Sequence, residues 1–246
     1  MKPVMPPAHL EQLEKIDQNY WWHRVRWRIV RWCIRRYAGR KAFDVYFDIG
    51  SGGGGMPGLL SSDFSFGAMH LFDQHVPNAN KLAQGPMQQN VVDLESFDWR
   101  NLPQPALVTC LDVLEHLRHP EQLLRDLRSV TGDRPPCLIV TVPALKSLWS
   151  AWDEAAGHHR RYNRTQLVEL LQESGWRVDH CTYFFQAAVL PVLLRRSSGK
   201  DKLKDLKFPE LPHWVNGLME QLFWGEFRVA WRLGIPFGTS LVAVAH

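Results

Sequence analysis

The sequence predicts an α/β fold in which a doubly wound, parallel sheet is covered by helices on both faces. Three observations carry this. Short apolar runs, apolar on both strand faces, alternate with helical patterns. The first run feeds directly into a cluster of five glycines in six positions, residues 50–55. An acid stands at or beside the end of four runs: Asp48, Asp73, Asp93 and Asp112.

In chain order, residues 9–37 read as helix, in one or two pieces. Val25, Ile29 and Trp32 repeat at helical spacing, and Arg24, Arg26, Arg28, Arg31, Arg35 and Arg36 fall largely between them as a solvated face. Strands are then predicted at 44–49, 68–72, 90–92, 106–111 and 137–142. The last is stopped by Pro143. Between the fourth and fifth lies a helix, with Pro120 in its first turn, Leu123, Leu124, Leu127 and Val130 on one face, and Gly132 at its end. A polar and aromatic connection fills 144–164. Thr165 is placed as the cap of the next helix, with Gly175 closing it. Strands six and seven are predicted at 176–184 and 239–245. The excursion between them holds an apolar run, a basic link over 195–207 and an amphipathic helix beginning near His213.

The chain has 246 residues, 45% of them apolar, which is enough for one large domain with a packed core. Its formal charge of +4 is mild, and no nucleic-acid partner is expected. Eleven tryptophans imply extensive aromatic surface to bury. Cys33, Cys110, Cys137 and Cys181 are far apart, form no CxxC pair and read as reduced thiols. The opening residues lack the apolar core of a signal peptide and no membrane-spanning run follows, so a cytoplasmic location is expected.

In open parallel sheets, ligands bind beyond the carboxyl ends of the strands near the switch in strand order. The glycine run fits two templates there. Gly50, Gly52 and Gly55 match the dinucleotide fingerprint, while Asp48, Gly50, Gly52 and Gly54 match D-x-G-x-G-x-G. Asp73 follows by the interval at which an acid meets ribose hydroxyls. The spacing admits NAD or S-adenosylmethionine. It excludes a P-loop, because no Lys-Ser or Lys-Thr follows the glycines.

Further stretches break the tie: "YWWHRVRWRIV", "FDIGSGGG", "CLDVLEHLRHP", "GHHRRYNR" and "PFGTSLVAVAH". Together and in order they resemble the class I S-adenosylmethionine-dependent methyltransferases, of the small-molecule type related to ubiquinone-pathway enzymes. Ser51-Gly52-Gly53-Gly54 stands where that group usually has Cys-Gly-Thr-Gly, and Gln74 follows Asp73 where Ile is common. The resemblance implies a Rossmann-like seven-stranded, mostly parallel sheet with an antiparallel last strand. It implies a helical segment over 1–41 on the lid or substrate side, and a cofactor domain over 42–246 with an insertion at 184–238.

It also implies roles. Asp48 would organise the loop near the methionine amino group. Gly50, Ser51, Gly52 and Gly54 would present bare backbone to S-adenosyl-L-methionine. Asp73, with Gln74 beside it, would meet the ribose diol. Asp93 and the Leu94 backbone would meet adenine. The Leu111 carbonyl would face the methionine ammonium, with Asp112 next to it. His116, placed at the start of the helix after strand four, joins His158, Arg161 and Tyr162 as the catalytic and acceptor-side candidates. Asp153 and His159 are further candidate bases, and no metal ligand set is assigned. Tyr20, Trp21 and Trp22 are candidate lid residues. A hydroxyl acceptor needs a base, so O-methylation of a small, partly apolar molecule is the expected reaction. The stretch 184–204 is where an apolar substrate or a membrane surface would be touched. Two alternatives stand beside this reading: an NAD(P)-dependent oxidoreductase, and a cofactor-binding member without catalysis. A nucleic-acid methyltransferase is disfavoured, since "LDVL" stands where a base N-methyltransferase often has Asn/Asp-Pro-Pro-Tyr.

Overall fold

The computed structural model describes residues 20–74, 87–132, 134–197 and 211–246. Helix α1 (Trp21–Tyr37) leads into β1 (Ala42–Ile49), the short α2 (Gly55–Leu60) and β2 (Ser65–Asp73). Then come β3 (Met87–Val91), β4 (Leu107–Leu111), α3 (Pro120–Ser129) and β5 (Cys137–Pro143). The chain continues through α4 (Ala151–Ala156), α5 (Arg164–Glu173), β6 (Val178–Phe184), α6 (Val189–Ser197), α7 (His213–Leu233) and β7 (Ser240–Ala245). The strands form one seven-stranded sheet in the order β3-β2-β1-β4-β5-β7-β6. All pairings are parallel except those of β7, which runs antiparallel to both β5 and β6.

Alternation along each strand sends neighbouring residues to opposite faces. Phe47, Ile49, Val108, Cys110, Leu138 and Val140 join one core with Leu124 of α3 and Leu171 of α5. Tyr46, Leu107, Ile139, Val242 and Val244 join the other, with Ile29 of α1 and Phe227 of α7. All four cysteines are buried and free.

The tryptophans largely serve the second face. Trp21 stacks on Phe223 at 4.6 Å between centroids, and Trp22 stacks on Phe185 at 4.0 Å. Trp32 meets Trp231 edge-on at 4.6 Å. The arginines of α1 are not simply solvated. Arg24 pairs with Glu220 at 2.7 Å, and Arg31 and Arg35 both reach Asp63, at 3.2 and 2.6 Å. Arg24 and Glu220 thus tie α1 to α7 beside their aromatic contacts, while Arg31 and Arg35 tie α1 to the turn after α2.

Several element boundaries depart from expectation. Helix α1 is described from Trp21 onward, and the expected helical residues before Tyr20 lie outside the described residues. Strand β3 starts at Met87, earlier than the expected 90, because its polar residues still make a parallel ladder with β2. Asn163, not Thr165, caps α5. Its side chain accepts the Gln166 amide at 2.8 Å, and the Gln166 side chain returns to the Asn163 amide at 3.0 Å. His116 does not start a helix; it lies in a turn, and α3 begins only at Pro120, whose fixed φ suits the first position. The basic link over 195–207 and the far part of 184–204 lie outside the residues whose side chains are described. Among the described residues, no helix is long and apolar enough to cross a membrane.

Candidate functional site

The register brings the carboxyl ends of β1 to β5 to one edge. Ile49 lies level with Phe72 and Cys110, Asp73 with Val91, and Leu111 with Thr141. Strand order switches between β1 and β4, where a ligand crevice is expected.

On the β1–β3 side, the glycine loop is tied to the end of β2. The amides of Gly50 and Ser51 both donate to the Phe72 carbonyl, at 2.8 and 3.1 Å. The Gly52 amide donates to Asp73 Oδ2 at 2.8 Å, so loop and acid converge. Gly50 has φ +71, and a Cβ there would lie 2.2 Å from Val113 Cγ2. The expected reason for this glycine, contact with a ligand, is therefore joined by one inside the protein. At Gly52, by contrast, φ is +50 and an added Cβ would meet open space. Gln74 Nε2 reaches Asp93 Oδ1 at 3.5 Å, and the same oxygen accepts the Glu95 amide at 3.0 Å. Leu94 is buried beside them.

Asp48 lies under the loop. Thr109 Oγ1 donates to its Oδ1 at 2.6 Å, and the Tyr46 hydroxyl is 2.6 Å from the same Thr109 oxygen. Its other oxygen has no partner among the described residues. Burial pushes the carboxyl up to about 7, against the lowering hydrogen bonds from Thr109 and Tyr46. An orphaned buried oxygen beneath a loop that faces open space at Gly52 fits a polar ligand with amine character.

On the β4–β5 side, the chain turns sharply. Asp112 and Leu145 both have left-handed φ, +54 and +60. Such strain in non-glycine residues persists only where the surroundings impose it. At Asp112 the surroundings are visible: its carboxylate pairs with Arg26 of α1 and accepts from Thr141 Oγ1 at 3.0 Å. Leu111 stands half-buried just before it.

The "GHHRRY" loop folds over this turn. Asp153, fully buried, accepts from Arg161 at both oxygens, 2.7 and 2.9 Å, and from His158 Nδ1 at 2.8 Å. Burial pushes Asp153 up, but the His158 and Arg161 hydrogen bonds outweigh it and hold the carboxyl at about 2. Asp153, one of the expected bases, is thus a spent carboxylate. Tyr162 is also internally committed: its hydroxyl donates to the Leu114 carbonyl at 3.2 Å, and burial pushes the phenol up. His116 and His158 meet edge-on at 4.7 Å between ring centroids. Burial, then the neighbouring His158 and His159, push His116 down to about 4, so it is neutral at neutral pH. The His159 amide donates to the Glu115 carbonyl at 2.7 Å, joining the two loops.

Glu115, within "CLDVLEHLRHP", carries no role in the sequence reading. It is fully buried, and neither carboxylate oxygen has a hydrogen-bond partner among the described residues. Burial pushes it up to about 8. The signal was the acid next to His116; its isolation depends on loops more than 40 residues away and could not be read locally.

Residues 21–181 match the family model described as a methyltransferase domain. No curated protein sequence matches the chain. Among solved structures, the methyltransferase in a complex with the Trm112 activator from Haloferax volcanii is 15% identical, with a TM-score of 0.59, over 97% of this chain and 93% of that one. An S-adenosylmethionine-dependent methyltransferase from Archaeoglobus fulgidus is 19% identical, with a TM-score of 0.54, over 89% and 93%. Phosphoethanolamine N-methyltransferase 2 from Haemonchus contortus, solved with S-adenosyl-L-methionine, is 17% identical, with a TM-score of 0.53, over 87% of this chain and 50% of that one. The expected fold agrees with these structures, and the expected cofactor is the one held by the Haemonchus protein.

Proposed function

This chain belongs to the methyltransferase-domain family, and from that premise we propose that it is an S-adenosylmethionine-dependent O-methyltransferase of a small acceptor. The observation that carries the reading is the junction of Gly52 and Asp73 at the sheet's switch-point edge. Asp73 would hold the ribose diol, while Asp93 with the Leu94 backbone would border adenine. Asp48 and the Leu111 carbonyl would receive the methionine ammonium. The family match weighs against the oxidoreductase alternative.

When bound, the cofactor supplies an electrophilic methyl on a sulfonium. The chain's part is to align the acceptor oxygen with that methyl, exclude water and accept the hydroxyl proton. His158 suits the last task. Asp153 holds its Nδ1–H, which leaves the Nε2 lone pair on the side of Glu115 and His116. Arg161 and Tyr162 act as positioning residues, Arg161 through Asp153 and Tyr162 through the Leu114 carbonyl. The pairing of Arg26 with Asp112 supports α1 as a wall on the acceptor side.

Titration calorimetry of S-adenosylmethionine into the wild type and Asp73→Ala tests the reading. The substitution should weaken binding by about 1 kcal/mol or more, the net worth of hydrogen bonds to a charged group. Unchanged affinity in a folded variant would sink the assignment, as would wild-type binding of NAD(P) in place of S-adenosylmethionine.

A further inference from the structure

We propose that Glu115, His116 and His158 form a binding site for a divalent transition-metal cation of the Zn2+ class. One ligand atom from each lies within 4.8 Å of the others. The three residues come from the turn after β4 and the loop before α5, joined by the His159–Glu115 backbone bond.

Three features separate this cluster from an ordinary polar contact. Glu115 is fully buried, yet among the described residues neither of its oxygens has a hydrogen-bond partner, a costly arrangement unless something else satisfies them. Glu115 Oε1 lies 3.9 Å from His158 Nε2, too far for a hydrogen bond but suited to two atoms sharing an ion. Finally, His158 Nδ1 is bonded to Asp153, whose carboxylate is itself held by Arg161 and the Ser150 amide. A carboxylate behind an imidazole fixes the tautomer so that Nε2 points its lone pair forward, the usual support of a metal-binding histidine. Asp153 is thereby a positioning residue for the ion.

The donor set favours the class of cation. Two imidazoles and one carboxylate suit Zn2+ and its first-row neighbours better than Ca2+ or Mg2+, which take oxygen ligands. Tetrahedral Zn2+ would draw the three atoms to roughly 3.4 Å of one another. That asks for a closure of about 1 Å from side-chain torsions, given the separation of up to 4.8 Å. Three protein ligands leave one position for water or an acceptor oxygen, the arrangement of catalytic rather than structural zinc. A bound ion would occupy the His158 lone pair and itself ease the loss of a proton from a bound hydroxyl.

The proposal does not rest on methyl transfer, and its test reads metal directly. The full chain, stripped with EDTA, is titrated calorimetrically with ZnCl2 alone. One equivalent should bind, and Glu115→Gln and His116→Ala should each weaken uptake at least tenfold, while His119→Ala, outside the cluster, should bind as the wild type does. Circular dichroism checks that each variant is folded. Histidine NMR of the wild type with Co2+ gives an independent reading, with resonances of His116 and His158 shifted or broadened ahead of those of His119. Failure of the wild type to take up one equivalent overturns the site. So does undiminished uptake by folded Glu115→Gln and His116→Ala, or a Co2+ effect centred on other histidines. Loss of S-adenosylmethionine binding with intact Zn2+ uptake would instead overturn only the proposed function.

Discussion

Along one sheet edge, the loops after β1 to β3 and the loops after β4 and β5 are built from different material. The first half is shaped by backbone. Amides of Gly50, Ser51 and Gly52 are fixed by the end of β2, and Asp93 lies exposed. The second half is shaped by buried side chains. Glu115 and Asp153 are fully buried, and Arg161, His158 and Tyr162 close around them. A backbone surface can recognise a ligand without constraining the rest of the fold. A buried ionic cluster commits both its loops to one arrangement, so a change there should cost stability as well as chemistry.

The sharpest way to break this contrast is Asp153→Ala. It leaves Arg161 buried without its carboxylate partner, which typically costs about 3 kcal/mol or more. Denaturant unfolding should show a large drop in midpoint. A loss below about 1 kcal/mol would mean the second half is as loosely built as the first. Next comes Gly50→Ala. A left-handed Ala costs about 1–2 kcal/mol, and its Cβ would also overlap Val113. The variant should lose about 2 kcal/mol of stability together with S-adenosylmethionine affinity, and Val113→Ala added to it should recover the steric part but not the dihedral part. If both single variants and the pair are simply additive, the Val113 contact is not what excludes the side chain.

Smallest over any single pH unit, though cumulative across several, is a slope with pH. The Asp48 carboxyl is raised to about 7 by burial, so the folded protein keeps a proton that the unfolded chain has already released. Its contribution to stability is present below about pH 4 and is lost as pH rises toward 7, by no more than about 1.4 kcal/mol per pH unit. Asp48→Asn should flatten that part of the profile relative to the wild type. An identical profile would show that Asp48 ionises freely.

The two halves also differed in how much of them the sequence disclosed. The glycine loop, Asp73 and Asp93 follow from short-range patterns: an apolar run, a turn, an acid at the strand end. The pairing of Arg26 with Asp112 spans 86 residues in sequence and leaves no local trace. The same holds for Asp153, which looked like a candidate base and proved to be an internal counter-ion. Not every miss was of this kind. The Asn163–Gln166 capping box was written in the chain, and Thr165 was simply the wrong cap to choose. The early start of β3 was hidden by Gln88 and Gln89, whose polarity reflects a partly exposed strand rather than a loop.

The placement of β7 has a consequence for how the molecule is made. Six strands come earlier in the chain, yet β7 inserts between β5 and β6 and supplies the whole ladder of β6. While the ribosome is still adding Ser240–Ala245, the nascent sheet ends at β5 and β6 has nothing to zip onto. Both the open flank of β5 and the unpaired β6 are exposed during that interval, as templates for wrong pairing. Completion requires contacts between residues about 100 positions apart, such as Val140 with Ala243, the kind of closure that slows folding. The interval between the synthesis of β6 and that of β7 therefore leaves this sheet open to misassembly.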